Sequence, residues 1–226
     1  MKSKGILTLG LCGALLLSGC GLSKTANGTM IGTAAGALAG AVIGHYTGNT
    51  AVGAAVGGAV GMGAGALIGK KMDQAAEAAA AVEGAAVETV KDANGLDAVK
   101  VTFDSGILFA TNKSNLSKEA KASLSKFAGV LKNFEDADVA IYGHTDNTGT
   151  LEVNQRISMQ RAEAVANYLK GEGVAETQIK DVLGKDYQEP VADNATAEGR
   201  AQNRRVEVYL YASEAMIKAA EAGTLE

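Results

Sequence analysis

GHTDNTGTLEVNQRISMQRAEAV, residues 143–165, followed by GRAQNRRVEVYL, residues 199–210, is the part of this chain whose reading decides the fold. Just upstream, Val139 and Ile141 alternate as a short strand, and Gly143 to Gly149 is dense in turn formers, which puts Asp146 at a strand end. Leu151 to Leu169 then reads as a helix. Ile157, Ala164, Val165, Tyr168 and Leu169 share one broad face, and at about 100° per residue Arg161 falls inside that arc. An arginine on the apolar side needs a partner, because an unpaired buried guanidinium costs several kcal/mol. The partner is either Asp146, in a closed ion pair, or the carboxylate of a ligand. A guanidinium fork suits a carboxylate, and a carboxylate suits an ammonium.

Working outward, Val99, Val101 and Phe103 alternate as a first strand. Leu116, Ala120, Leu124, Phe127, Leu131 and Phe134 follow helical spacing behind Ser117 at the N-cap and predict a core-facing stripe. A weak strand near Ile179 to Leu183 and a closing strand at Val206, Val208 and Leu210 complete the order β-α-β-α-β-β, an α+β fold built as an α/β two-layer sandwich. Residues 96–212 are the expected extent of this domain. Beyond them residues 213–226 form a helical tail that either packs on the domain or mediates contacts.

The GHTD turn, the N-x-x-[LI]-S-x-x-R-A helix and the NRRV strand, in that order, resemble the OmpA-like C-terminal domain, a peptidoglycan-binding module of bacterial envelope proteins. The resemblance implies the OmpA-like fold and a site for the diaminopimelate residue of the peptidoglycan stem peptide, held by Asp146 and Arg161. Asn154, Ile157 and Ser158 match the helix motif. Asn203, Arg204 and Arg205 match the strand motif, whose arginines are expected to line or brace the pocket; alternation along a strand lets only one of the two face the site and leaves the other as a solvated charge. The family's loop after the first strand usually reads close to F-x-F-D-K. Here it is Phe109-Ala110-Thr111-Asn112-Lys113, so backbone contacts from Phe109 and Ala110 are compatible with the resemblance while acidic side-chain contacts are lost.

The first part of the chain carries two further signals. Lys2 and Lys4, the apolar run Gly5 to Leu17 and Leu17-Ser18-Gly19-Cys20 make residues 1–19 a lipoprotein-type signal peptide, with lipid on Cys20 and residues 20–26 as the lipidated N-terminus. A multiply acylated cysteine anchors stably, since each buried methylene contributes about 0.8 kcal/mol. Cys12 leaves with the signal, so no thiol remains for a disulfide. Within 27–71, glycines recur every fourth residue from Gly28 to Gly48 and again from Gly53 to Gly69. That spacing makes a smooth helix face for close packing and predicts a helical hairpin with a polar tip at His45, Tyr46, Asn49 and Thr50. The segment resembles glycine-zipper domains. It is either membrane-inserted, with Lys70 and Lys71 as an interfacial anchor, or a soluble hairpin or spacer; homo-oligomers are one outcome of such packing. Residues 72–95 read as an Ala-rich helical linker holding the domain away from the bilayer, with Asp92-Ala93-Asn94-Gly95 as a boundary turn.

Composition removes other functions. The 226 residues carry a formal charge of −4, deepened to −6 by loss of Lys2 and Lys4, which argues against a general nucleic-acid binder. His144 beside Asp146 is not a metal site, because His45 lies in another segment and no thiol is left. Ser105, Thr145 and Ser158 lack a base and an orienting acid at recognisable spacing, so the chain is not read as an enzyme, and no cofactor is expected. The glycine repeat lacks the Gly-Lys-Ser/Thr ending of a phosphate loop. The expected function is an outer-membrane lipoprotein with its globular domain in the periplasm, tethering the membrane to peptidoglycan. The alternative is a membrane-assembling glycine-zipper protein that the domain merely localises.

Overall fold

The computed structural model describes residues 61–109 and 113–225. The signal peptide, Cys20, the glycine repeat before Gly61 and Ala110 lie outside them. In chain order the elements are α1 (Met62–Ala80), β1 (Ala85–Lys91), β2 (Asp97–Asp104), α2 (Ser105–Leu108), α3 (Lys118–Asn133), β3 (Ala137–Gly143), α4 (Leu151–Gly171), β4 (Ile179–Gly184), α5 (Ala197–Asn203), β5 (Arg205–Ala212) and α6 (Glu214–Glu221). One five-stranded sheet runs in the order β1-β2-β5-β3-β4. Only β3 and β4 are parallel, and α4 forms the crossover between them, as a parallel pair requires.

Alternation sorts the sheet into two faces. Val99, Val101, Phe103, Val139, Ile141, Val206, Val208 and Leu210 join the helices in one hydrophobic core. Ala98, Ala140, Tyr142, Tyr209 and Tyr211 cluster on the opposite face. The central strand β5 is buried along its whole length. The predicted helix stripe is in place: Ser117 accepts the Ala120 N–H as the N-cap of α3, and Ala120, Leu124, Phe127 and Leu131 are fully buried. Phe127 meets Phe103 edge to face at 5.5 Å, a geometry favoured by the ring quadrupoles.

The predicted order β-α-β-α-β-β is present as β2, α3, β3, α4, β4 and β5, but the structure extends it at both ends. The stretch read as a helical linker is helix only to Ala80, and residues 85–91 pair antiparallel with β2 from Ala85↔Phe103 to Lys91↔Asp97. The Asp92–Gly95 turn therefore closes a hairpin within the domain: Asp92 Oδ1 accepts the N–H groups of Asn94 and Leu96, an Asx-type turn. The alanine-rich composition masked this strand, because alanine favours helix whereas pairing with the exposed edge of β2 satisfies a whole row of backbone groups.

Helix α1 is also part of the domain. It buries Ile68, Met72, Ala75 and Ala79 in the core, and Lys71 Nζ lies 2.7 Å from Asp136 Oδ2. Of the helix expected across Gly53 to Gly69, residues 62–69 are helical in α1, which begins after an extended Gly61 with φ −54° and ψ 145°, and residues 53–60 lie outside the described residues. The spacer reading does not hold for residues 62–91. The tail packs too: Met216, Ile217 and Ala220 of α6 join the core that holds α1. Among the described residues no helix is long and apolar enough to cross a membrane.

Candidate ligand-binding site at the strand ends

The carboxyl ends of β3 and β4 are unusually flat, and this flatness brings the two motifs together. Gly143 and Gly184 face each other across the parallel pair. A Cβ on Gly143 would overlap the Ser158 carbonyl oxygen, and one on Gly184 would stand 2.6 Å from Met159 N. Only glycine lets the α4 backbone approach this closely. Beyond Gly143 the ladder continues into the loops, with Lys185 N–H donating to Gly143 O, Thr145 N–H to Asp186 O, and His144 N–H to Arg205 O. Asp186 sits at φ 41°, a left-handed conformation that Asp tolerates better than most residues; the Ser158 hydroxyl accepts its N–H at 3.2 Å.

Asp146 leaves this platform nearly buried, at 7% exposure. Its Oδ2 accepts Arg204 Nη1 at 2.6 Å and its Oδ1 accepts Thr148 N–H at 2.9 Å. Burial alone would raise its pKa, but the hydrogen bonds from Arg204 and Thr148 outweigh it and hold the carboxyl below its ordinary value. Asn154 secures the same loop from α4 by donating to Thr148 O at 3.0 Å.

Arg161 is where the helical wheel put it, on the buried side of α4 at 5% exposure. Its partner is not Asp146. The guanidinium stacks over the Phe109 ring at 5.3 Å from its centroid, and Nε donates to Lys113 O at 3.3 Å. Among the described residues no carboxylate lies within ion-pair distance of it. Burial, and then the nearby Arg204 charge, push its pKa down, with Asp146 opposing them. The site thus holds a closed pair, Asp146 with Arg204, beside a buried guanidinium whose remaining N–H groups meet no described acceptor.

The other predicted residues divide. Phe109 is buried beneath Arg161, and Ile157 is half-buried on α4. Asn154 and Ser158 are buried, Asn154 donating to the loop at Thr148 O and the Ser158 hydroxyl accepting the Asp186 N–H beyond β4, so they brace the site. Of the two adjacent arginines Arg204 is the one facing Asp146, as alternation demands. Arg205, expected as a solvated charge, is instead 5% exposed. Its Nε donates to Glu207 Oε1 at 2.8 Å, and its Nη groups reach Asn203 O and Glu189 O. The second sheet face at β5 is covered, so a cation there has to be paired. Glu207 also accepts the Tyr209 hydroxyl at 2.8 Å and lies 3.2 Å from His144 Nε2. Burial works against its ionised form, yet His144 and Arg205 hold the carboxyl far below the usual range. Burial in turn pushes the His144 imidazole below its ordinary value despite Glu207.

Asn203 is a structural residue that motif matching does not explain. Fully buried, it accepts the N–H groups of Val191 and Ala192 and donates to Ala192 O and Asn194 Oδ1. Asn194 Oδ1 also accepts Asn147 N–H, which links the 191–194 loop to the loop of Asp146.

Comparison with known proteins agrees with this architecture. The OmpA family model matches residues 108–204 and a YMGG-like Gly-zipper model matches residues 1–73. The chain is 42% identical over 111 residues to the peptidoglycan-binding protein ArfA of Mycobacterium tuberculosis, covering 49% of this chain and 34% of ArfA. It is 37% identical over 114 residues to the probable lipoprotein YiaD of Escherichia coli, covering 50% of this chain and 52% of YiaD. It therefore spans about half or less of the length of these curated relatives. The solved structure of the cell wall anchor of the T6SS from Pseudomonas aeruginosa superposes with a TM-score of 0.52 at 31% identity, over 63% of this chain and 97% of that one. With this solved relative 31% identical and matched over 97% of its length, and with the OmpA family model matching residues 108–204, the chain belongs to the OmpA family.

Proposed function

We propose that this protein is an outer-membrane lipoprotein, anchored through lipid on Cys20, whose periplasmic domain grips peptidoglycan by the diaminopimelate residue of the stem peptide. The observation that carries the reading is Arg161: a buried guanidinium, held flat on Phe109 and lacking a carboxylate partner among the described residues, is a standing demand for an anion. A ligand carboxylate meets that demand, and the neighbouring Asp146 carboxylate takes the ligand's ammonium, so one side chain bearing both groups fits both residues. The peptidoglycan-binding protein ArfA and the T6SS cell wall anchor, to which the chain is similar, support the same target. On this reading the domain holds its ligand without chemistry. Many weak contacts along a polymer make a strong tether through effective concentration.

Co-sedimentation of the mature chain with purified sacculi tests this. Asp146→Ala and Arg161→Ala are expected to stay folded by circular dichroism and to lose binding, and free diaminopimelate is expected to compete with the wild type. Folded variants that sediment like wild type would sink the assignment. The glycine-zipper match to residues 1–73 favours one further reading, that this segment assembles in the membrane. Concentration-dependent cross-linking of the full chain, compared with a variant bearing Gly→Leu in the repeat, separates it from a lone tether.

A further inference from the structure

The pair that forms the site is carried by two chain segments that have already left the sheet. Asp146 lies beyond the end of β3, and Arg204 lies just before the start of β5. Between these segments the backbone contributes one hydrogen bond, His144 N–H to Arg205 O. Ser105 N–H donating to Arg204 O and Arg204 N–H donating to Arg200 O fix the residue 204 backbone, but neither ties it to the Asp146 loop, and strand ends fray. The opposite face of the same two segments supplies the tie. There His144, Arg205, Glu207 and Tyr209 are each 5% exposed or less, and the Glu207 carboxylate is their common centre: it takes Nε of Arg205 and the hydroxyl of Tyr209, both at 2.8 Å, and stands 3.2 Å from His144 Nε2. Arg205 extends the web to Asn203 O and Glu189 O.

We propose that Glu207 is a positioning residue for the binding site, riveting the backs of residues 144 and 205 together so that residues 146 and 204 meet on the front. This rests on the site assigned above, but not on the identity of its ligand. The logic is alternation: once Arg205 is locked to Glu207 on one face, its neighbour Arg204 has to project to the other. A carboxylate suits this place because it accepts from a guanidinium and a phenol together, with the imidazole 3.2 Å away; an amide in its place keeps the shape and loses the charge.

The measurement is the titration of the Asp146 carboxyl, followed by carbon NMR in the mature chain in detergent micelles without any peptidoglycan. Arg204→Gln defines where Asp146 titrates once its partner is gone. In folded Glu207→Gln the Asp146 titration is expected to move up toward that limit by about one pH unit, as the aimed guanidinium is lost. Because Glu207→Gln leaves Arg205 buried without its anion, the double variant Arg205→Met/Glu207→Leu is the companion. It removes both charges together, which is commonly neutral for stability, and the same upward move is expected. If Asp146 titrates as in the wild type in both folded variants, Glu207 does not position the pair and the proposal is wrong. Loss or retention of sacculus binding in the wild type decides the peptidoglycan reading separately.

Discussion

Replacing Gly184 by alanine should damage both stability and binding, although it adds one methyl group to a residue that contacts no ligand. Its new Cβ would stand 2.6 Å from Met159 N and from Ser158 Oγ, and 2.9 Å from Met159 Cα. Ordinary packing needs at least 3.4 Å, so α4 has to back away from β4 by roughly 0.8 Å, and helix backbone, unlike a side-chain tip, has no rotamer to escape into. Overpacking of this kind costs about 1–3 kcal/mol, and the rigid neighbour points to about 2–3. For a domain of this size each kcal/mol lowers the midpoint by about 2–4 °C, a fall of roughly 4–12 °C. The same displacement carries Arg161 away from Asp146 and pulls Ser158 from the Asp186 N–H, so sacculus binding by the folded protein should weaken as well. Thermal unfolding followed by circular dichroism is the assay, with Gly129→Ala as the contrast. Gly129, inside α3, has nothing within 4 Å of its added Cβ, and there alanine should raise stability by about 0.5–1 kcal/mol. If Gly184→Ala unfolds at the wild-type midpoint or above it, the close helix–strand approach does not hold α4 in place and the explanation of the site's geometry fails.

Two further outcomes follow from burial and charge. Ile68→Ala in α1, at a side chain with no exposed surface, should cost about 2–5 kcal/mol in denaturant unfolding; a change under about 0.5 kcal/mol would mean α1 is a spacer after all. Stability should also fall in acid. His144, held below its ordinary 6.5, lets the unfolded chain bind the extra proton as pH drops through that value. Glu207, held far below its ordinary 4.5, adds a second loss below it. Urea unfolding from pH 8 to pH 3 should show declining stability, and a flat profile in the wild type contradicts both assignments.

Much of this architecture is legible in one dimension. Period-two alternation at Val99 to Phe103 and Val206 to Leu210, the helical stripe from Leu116 to Phe134 and the turn formers after Gly143 are local codes, and they place Asp146 at a strand end and Arg161 on a buried helix face. What they omit are decisions made by neighbours. The strand at residues 85–91 has a helix-favouring composition and exists because β2 offers it an edge. Arg205 and Glu207, two residues apart on one strand face, carry a visible signal for pairing, but whether that face meets water or a covered cluster is not a local property.

By itself, then, the sequence determines strands β2 to β5 and which helix face turns inward, because these follow from periodicity and turn chemistry, while a shared ligand site for Asp146 and Arg161 is what the family resemblance implies. Tertiary structure alone decides which charges pair. Arg204, not Arg161, reaches Asp146, since Gly143 and Gly184 seat α4 so that Arg161 lies over Phe109 and Lys113. Ion pairing depends on side-chain positions resolved to about an ångström, and those are set by how closely two elements distant in the chain can approach.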